Sequence, residues 1–318
     1  MEIRNYIAIA RPDHWIKNLF VLPGIVLALL FVPLPFERFA LRMVLALISV
    51  CLVSSANYAL NEWLDAEFDR YHPVKKNRPS VVGNMRAPLV YFEYILLAAT
   101  GLALAYAASP YIFVPALALF IQGFLYNVKP FRTKDRIYID VISESVNNPI
   151  RLLIGWAVVT SEVFPPFSVL FGYWMFGAFL MDIKRYAELR FIGNRETAAL
   201  YRHSFKRYTE KSLLIIAIFY ALCSGFFFAI FMIKHRIELM VALPFIAALY
   251  TWYLSIGMKE ASPARNPESL PWFEKGFTTY FTFAVILVLV LLMVDIPALE
   301  YFQEPPDRFD LKLWLGLE

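Results

Sequence analysis

The sequence predicts an all-α integral membrane protein of about nine transmembrane helices, and three observations lead there. Of its 318 residues 59% are hydrophobic and the mean hydropathy is +0.55, whereas an ordinary soluble domain is about 45–50% apolar. The apolar residues fall in long runs bounded by charge or proline, each near the roughly 20 residues a helix needs to cross a bilayer. The basic residues collect between alternate runs. Nine spans of about 20 residues use about 180 positions and leave too few for a separate soluble domain, so residues 1–318 read as a single polytopic unit.

The first run, near 18–34, follows a segment bearing Arg4, Arg11 and Lys17 with no small-residue cleavage pattern, so it reads as a retained span and not a removed signal peptide. The second, near 40–60, runs into a charged segment that begins at Asn61. The third and fourth lie near 88–107 and 111–127, the latter closed by Tyr126, Asn127 and Lys129. A fifth, near 139–160, is preceded or opened by Lys134, Asp135, Arg136 and Asp140 and carries Glu144, Asn147, Asn148 and Arg151. Glu144, Asn148 and Arg151 recur at spacings of four and three, which on one helix makes a polar face. Ionisable groups in lipid are costly and face a cavity or a partner, so this face lines a cavity, or Glu144 pairs with Arg151, or both. The sixth run, near 166–182, leads into a basic segment, and three further runs lie near 212–233, 239–258 and 276–294.

With the N-terminus placed in the cytoplasm, that side receives 23 of the 30 Lys and Arg residues and the opposite side 6, with Arg151 inside a span. This asymmetry orients the chain, with the tail after Asp295 outside and the charged segments 61–87 and 183–211 read as cytoplasmic loops. A bacterial inner membrane is the expected location. Gly is only 12 of 318 residues and no glycine-rich phosphate loop is present. Cys51 and Cys223, the only cysteines, both fall in apolar runs, which suits buried spectators better than a disulfide. No histidine has metal-ligand spacing, and interfacial belts account for most of the tryptophans. Nothing in the sequence points to nucleic acid, and it is compatible with a homo-oligomer.

Chemistry concentrates after the second run, in Asn61-Glu62-Trp63-Leu64-Asp65-Ala66-Glu67-Phe68-Asp69-Arg70. Asn61, Asp65 and Asp69 are four residues apart and share a face if the helix continues. Stacked hard oxygen donors suit Mg²⁺, which is commonly held by one or two carboxylates with substrate phosphates and water. Lys75, Lys76 and Arg78 follow and offer positive groups to phosphate oxygens. Surface pairing of Asp with Arg is the plainer account of such a stretch, but it leaves the register of Asn61 with both acids unexplained.

These residues resemble the first motif of the UbiA-type intramembrane prenyltransferase superfamily, Asn-Asp-x-x-Asp-x-x-x-Asp, with Glu62 in place of the usual second residue. The resemblance implies Mg²⁺ and diphosphate binding by Asn61, Asp65 and Asp69, and a UbiA-like helix bundle whose active cavity opens to the cytoplasm. In the prenyl-transferring branches a second Asp-rich motif follows the sixth span. Here that place reads Met181-Asp182-Ile183-Lys184-Arg185-Tyr186-Ala187-Glu188-Leu189-Arg190, with only two acids. Lys184, Arg185 and Arg190 suit direct phosphate contact, Arg by bidentate pairing and Lys as a point charge.

That stretch looks like the decaprenyl-phosphate phosphoribosyltransferase branch of the superfamily, as do Arg11-Pro12-Asp13-His14-Trp15-Ile16-Lys17-Asn18, His72-Pro73 with Arg78-Pro79, and Lys134 to Asp140. The likeness covers about the first 210 residues, and the last three spans match only in hydropathy. It implies transfer of 5-phosphoribose from phosphoribosyl diphosphate to a polyprenyl phosphate. In that reading Asn61, Asp65 and Asp69 hold the metal and serve catalysis, while Lys17, Glu62, Lys75, Arg78, Lys134, Lys184 and Arg185 contact substrate, with Asp135 or Asp140 at the ribose hydroxyls. Glu62 and the run Ser143 to Pro149 depart from the branch pattern. Prenyl transfer to an aromatic or other small acceptor, and a transporter without chemistry, stay open as alternatives. A transporter more naturally shows internal repeats, which are not evident.

Overall fold

The computed structural model describes residues 3–267 and 270–300, and the described residues contain helices and no strand. Arg308, Lys312 and Trp314, assigned from sequence to the outer tail, lie outside them. The chain begins with α1 (Ile3–Ala10), a 3₁₀ stretch over Pro12–Val21 and α2 (Leu22–Phe31). Then follow α3 (Ala40–Asp69), α4 (Ala87–Ala108), α5 (Pro110–Asn127), α6 (Ile139–Ser145), α7 (Asn147–Val159) and α8 (Phe167–Ile192). After a short α9 (Arg195–Tyr201) come α10 (Glu210–His235), α11 (Leu243–Gly257) and α12 (Lys275–Met293). Caps mark several starts: Ser109 accepts from the Tyr111 amide at α5, Asn194 from Thr197 at α9, and Thr209 and Ser212 form a reciprocal box at α10.

Among the described residues eight segments are long and apolar enough to cross a membrane, not nine. The difference lies at the expected fifth span, which the structure divides into α6 and α7 at Val146. Pro149 lacks an amide hydrogen to close the turn onto Ser145, and its ring crowds that carbonyl. Nearby, the Asn147 side chain donates to the Glu144 carbonyl and the Ser145 hydroxyl to the Ile142 carbonyl, stabilising the interrupted turn. Neither half spans a bilayer alone.

Two segments expected as loops are helical extensions at their start. α3 has 30 residues, about 45 Å at 1.5 Å per residue, against a hydrocarbon core of about 30 Å. Its last turns, Asn61 to Asp69, therefore stand beyond lipid. In the same way α8 carries 183–192 as helix before Gly193 ends it in a left-handed conformation with φ 69°.

The N-terminal half packs α2, α3, α4, α5 and α7 around Val21, Ile25, Val50, Val53, Ile112, Leu119 and Ile154. The other half packs α8 against α10, α11 and α12. Close approach of α2 and α7 depends on two glycines: a Cβ on Gly24 would lie 2.1 Å from the Leu152 carbonyl oxygen, and one on Gly155 2.0 Å from that of Val21. Small residues at such crossings let helix backbones meet where lipid supplies no hydrophobic drive. This packing brings the charged ends of α3, α5 and α8 together.

Candidate active site

The last turns of α3 carry the candidate ligands, and each meets a partner from elsewhere in the chain. Asp65 Oδ1 accepts from Arg132 Nη2 at 2.7 Å and lies 2.6 Å from Lys134 Nζ. Arg132 and Lys134 are buried and come from the turn after α5. Arg132 adopts φ 29°, stacks over Phe68 with its guanidinium carbon 4.9 Å from the ring centre, and donates through Nε to Asp135 at 2.8 Å. Lys134 also donates to Asn127 Oδ1 at 2.7 Å, and that same oxygen accepts from Asn61 Nδ2. Burial pushes the Lys134 ammonium down to about 8, against the opposing pull of Asp65.

One turn on, Asp69 is buried and accepts from Arg78 Nη1 at 2.5 Å. Arg78 Nε is 3.9 Å from Glu62 Oε2, which in turn accepts from Arg11 Nε at 3.0 Å and Nη2 at 2.9 Å. Glu62 is 2% exposed and so is committed to tethering the start of the chain through Arg11 and to Arg78. Its side chain reaches an arginine 51 residues away in sequence.

A second set of pairs joins the α8 end to the segments around it. Lys75 donates to Glu188 and to the Tyr201 hydroxyl, and Tyr201 donates to Glu188 at 3.0 Å. His72 Nδ1 accepts from the Val74 and Lys75 amides at 3.1 Å each, which leaves Nε2 to face Glu188 at 3.6 Å. Burial lowers the Lys75 ammonium, with Glu188 opposing it. Arg185 is fully buried between Asp140, at 3.3 Å, and Glu144. Lys184 lies more openly, 3.8 Å from Glu144. Lys17 sits 3.2 Å from His14.

The expected pairing of Glu144 with Arg151 is corrected by this arrangement. Glu144 instead meets Arg185 and accepts from Tyr126 at 2.8 Å, because Arg151 stands seven residues further on, about 10 Å along a helix at 1.5 Å per residue. Asp140 also differs from its expected place beside a sugar. It has no exposed surface and accepts from Tyr208 at 2.7 Å, Ser204 at 3.0 Å and Arg185. It braces the 201–208 segment against α8. Asp135, by contrast, keeps an accessible side chain at the rim.

The donor set fits a small hard cation that brings its own phosphate oxygens. Asn61, Asp65 and Asp69 share one face, and the Asn61 oxygen has no protein hydrogen bond among the described residues. Among those residues no three His, Cys, Asp or Glu side chains form a ready metal cage. Mg²⁺ seldom uses an all-protein cage and keeps water or substrate oxygens. In this structure Arg132, Lys134 and Arg78 balance the two carboxylates instead, so cations suited to phosphate already surround the acids.

Arg132, Arg11, Tyr201 and Arg202 were not readable as site residues. Arg132 and Arg202 stand among many loop cations, and only the fold selects them. Arg202 lies 3.6 Å from Asp140, with its Nη1 buried and without a hydrogen bond.

Known proteins agree with this architecture. The chain is 28% identical to the decaprenyl-phosphate phosphoribosyltransferase of Mycobacterium tuberculosis over 65% of its own length and 66% of the relative's, so it spans slightly less than two thirds of that protein. It is 30% identical to protoheme IX farnesyltransferase 2 of Bacillus subtilis over 38% of the chain and 39% of the relative. A UbiA homologue from Archaeoglobus fulgidus, solved with DMAPP and Mg²⁺ bound, superposes with a TM-score of 0.67 at 20% identity, over 89% of this chain and 99% of that one. The profile of the UbiA prenyltransferase family matches residues 18–273, and with the helix bundle and the α3 motif this establishes that the chain belongs to that family of integral membrane proteins.

Proposed function

We propose that the protein transfers 5-phosphoribose from phosphoribosyl diphosphate to a polyprenyl phosphate, with Mg²⁺ and release of diphosphate, at the cytoplasmic side of a bacterial inner membrane. The observation that carries this reading is the α8 end. A diphosphate clamped by metal from two sides needs a second cluster of available carboxylates. Here residues 181–190 carry three cations, Lys184, Arg185 and Arg190, with Asp182 and Glu188 as the acids; Asp182 is fully buried and Glu188 holds Lys75 and Tyr201 through Oε1. Lys184 and Arg190 are the half-buried cations of that helix end, and Lys184, 3.8 Å from Glu144, is the one offered to a phosphate.

Asn61, Asp65 and Asp69 would hold Mg²⁺, which when bound neutralises charge on the diphosphate as it leaves. Arg132, Lys134 and Arg78, now paired with Asp65 and Asp69, are within reach to exchange carboxylate for phosphate oxygens. Lys184 and Lys17 provide further positive charge toward a second phosphate. Arg185, held by Asp140 and Glu144, fixes the wall behind Lys184. The acceptor phosphate oxygen is already anionic, so attack at the anomeric carbon calls for no strong base. Similarity to a phosphoribosyltransferase over about two thirds of the chain supports the same donor.

The test is incubation of the purified protein with radiolabelled phosphoribosyl diphosphate, Mg²⁺ and polyprenyl phosphate. Label passing into a chloroform extract is the expected result, and none from folded protein overturns it. Prenyl transfer is the second reading, favoured by the likeness to a farnesyltransferase over 38% of the chain. Consumption of labelled prenyl diphosphate without any ribosyl donor distinguishes it.

A further inference from the structure

Four Arg and Lys residues among the described residues are buried: Arg132, Lys134, Arg151 and Arg185. Three have a carboxylate within 4 Å. Arg151 has none among the described residues. Its Nε donates to Asn18 Oδ1 at 3.1 Å, its Nη2 to Ser54 Oγ at 3.4 Å and its Nη1 to the Asn147 carbonyl at 3.5 Å. All three partners are neutral and two of the contacts are long. A guanidinium has five N–H donors, so two have no protein acceptor among the described residues.

The position sharpens the anomaly. Ser54 lies midway along α3, eleven residues before Asp65, or about 16 Å nearer the membrane centre at 1.5 Å per residue. Asn18 and Ser54 are nearly inaccessible, at 1% and 3% exposure. They are joined by a Ser54 to Asn18 hydrogen bond of 3.2 Å, and Asn18 reaches Cys51 at 3.3 Å. A buried charge without a counter-ion is strongly unfavourable, and an intramembrane one marks a site for a partner. The missing partner is an anion, and it must reach a depth where lipid surrounds the bundle.

We propose that Arg151, oriented by Asn18 and Ser54, seats a phosphate monoester, and that this is the head group of the lipid acceptor. The inference rests on the phosphoribosyl-transfer reading, which needs three anionic groups: a diphosphate, a sugar phosphate and a lipid phosphate. The cations at the α3 and α8 ends face the water-soluble donor. Arg151 stands on the lipid side of them and remains for the third. Arg suits this place because its planar fork bonds two phosphate oxygens at once.

The experiment uses the full-length protein in detergent and three probes: farnesyl phosphate, farnesol and ribose 5-phosphate, each titrated with tryptophan fluorescence as the readout. Wild type should bind farnesyl phosphate and not farnesol. R151Q should bind farnesyl phosphate at least about 30-fold more weakly, since removing one member of a buried charge pair has costs of that order. R151K should fall between, because a point charge makes a single contact, and it answers the question if R151Q is not recovered folded. Binding of phosphoribosyl diphosphate with Mg²⁺ should stay within about twofold of wild type in both variants. Equal farnesyl phosphate affinity in wild type and R151K or R151Q overturns the seat and leaves the transfer reading intact. Loss of ribose 5-phosphate binding alone overturns its assignment to the lipid. Absence of donor binding by wild type overturns the transfer reading itself.

Discussion

Lys184 and Arg185 are adjacent in sequence, both basic, and both expected at a phosphate, yet the structure predicts opposite consequences for their removal. Arg185 has no exposed surface and bridges Asp140 and Glu144, with Tyr126 at 3.1 Å. Replacing it with Gln leaves the buried Asp140 and the half-buried Glu144 without the guanidinium between them. Asp140 keeps Ser204 and Tyr208, and Glu144 keeps Tyr126 and Lys184, so neither is stripped bare. Breaking a buried pair from one side costs about 3–5 kcal/mol. At about 2–4 °C per kcal/mol the melting midpoint falls by about 6–20 °C. Lys184 has a side chain 21% exposed and a single carboxylate contact at 3.8 Å, a pair worth at most about 1 kcal/mol. K184Q should melt within a few degrees of wild type while losing turnover. Thermal unfolding in detergent, followed by intrinsic fluorescence beside label transfer, separates the two. An R185Q variant melting with wild type, or a K184Q variant destabilised as much as R185Q, refutes the division of the pair into wall and contact.

Three further outcomes are expected. In D65N, Mg²⁺-dependent turnover should drop at least about 100-fold, the several kcal/mol a metal contributes to charge stabilisation. MgCl₂ with diphosphate should raise the wild-type melting midpoint and leave that of D65N unmoved; an equal rise in both removes Asp65 from the ligand set. Asp182 is fully buried and neither carboxyl oxygen has a hydrogen-bond partner among the described residues. Its neutral isostere in D182N should therefore hold or raise the melting midpoint, and a fall of more than about 4 °C in the same assay would show that the carboxyl is in use. G155A should lower stability by about 1–3 kcal/mol or more, because the added methyl meets the Val21 carbonyl at 2.0 Å and a backbone cannot step aside as a side chain can. Unchanged melting of G155A speaks against tight α2 and α7 contact.

The membrane class, most helix positions and the shared face of Asn61, Asp65 and Asp69 were legible because each depends on neighbours along one helix. Apolar run length finds a span wherever the run is unbroken, as in α4 and α12. At residues 139–160 the run holds two helices, Ile139–Ser145 and Asn147–Val159, that meet at Val146 ahead of Pro149. The fourfold spacing of Asn61, Asp65 and Asp69 required only that α3 continue as helix through Asp69, which it does. The spacing of Glu144 and Arg151 left cavity lining and mutual pairing open, and the structure gives Glu144 to Arg185 on another helix.

By itself the sequence determined that this chain lives in a membrane, that its charge is gathered on one face, and that two acids and an amide share one helix edge there. Only the tertiary structure decided which charge meets which. Arg11 finds Glu62 across 51 residues, Arg132 finds Asp65 across 67 and Lys75 finds Glu188 across 113. Periodicity carries no information over such distances, since those encounters depend on how whole helices pack and on the glycines that let α2 and α7 touch. Burial then assigns Arg132, Lys134 and Arg185 their counter-ions, and it leaves Arg151 among neutral side chains, without a carboxylate partner among the described residues.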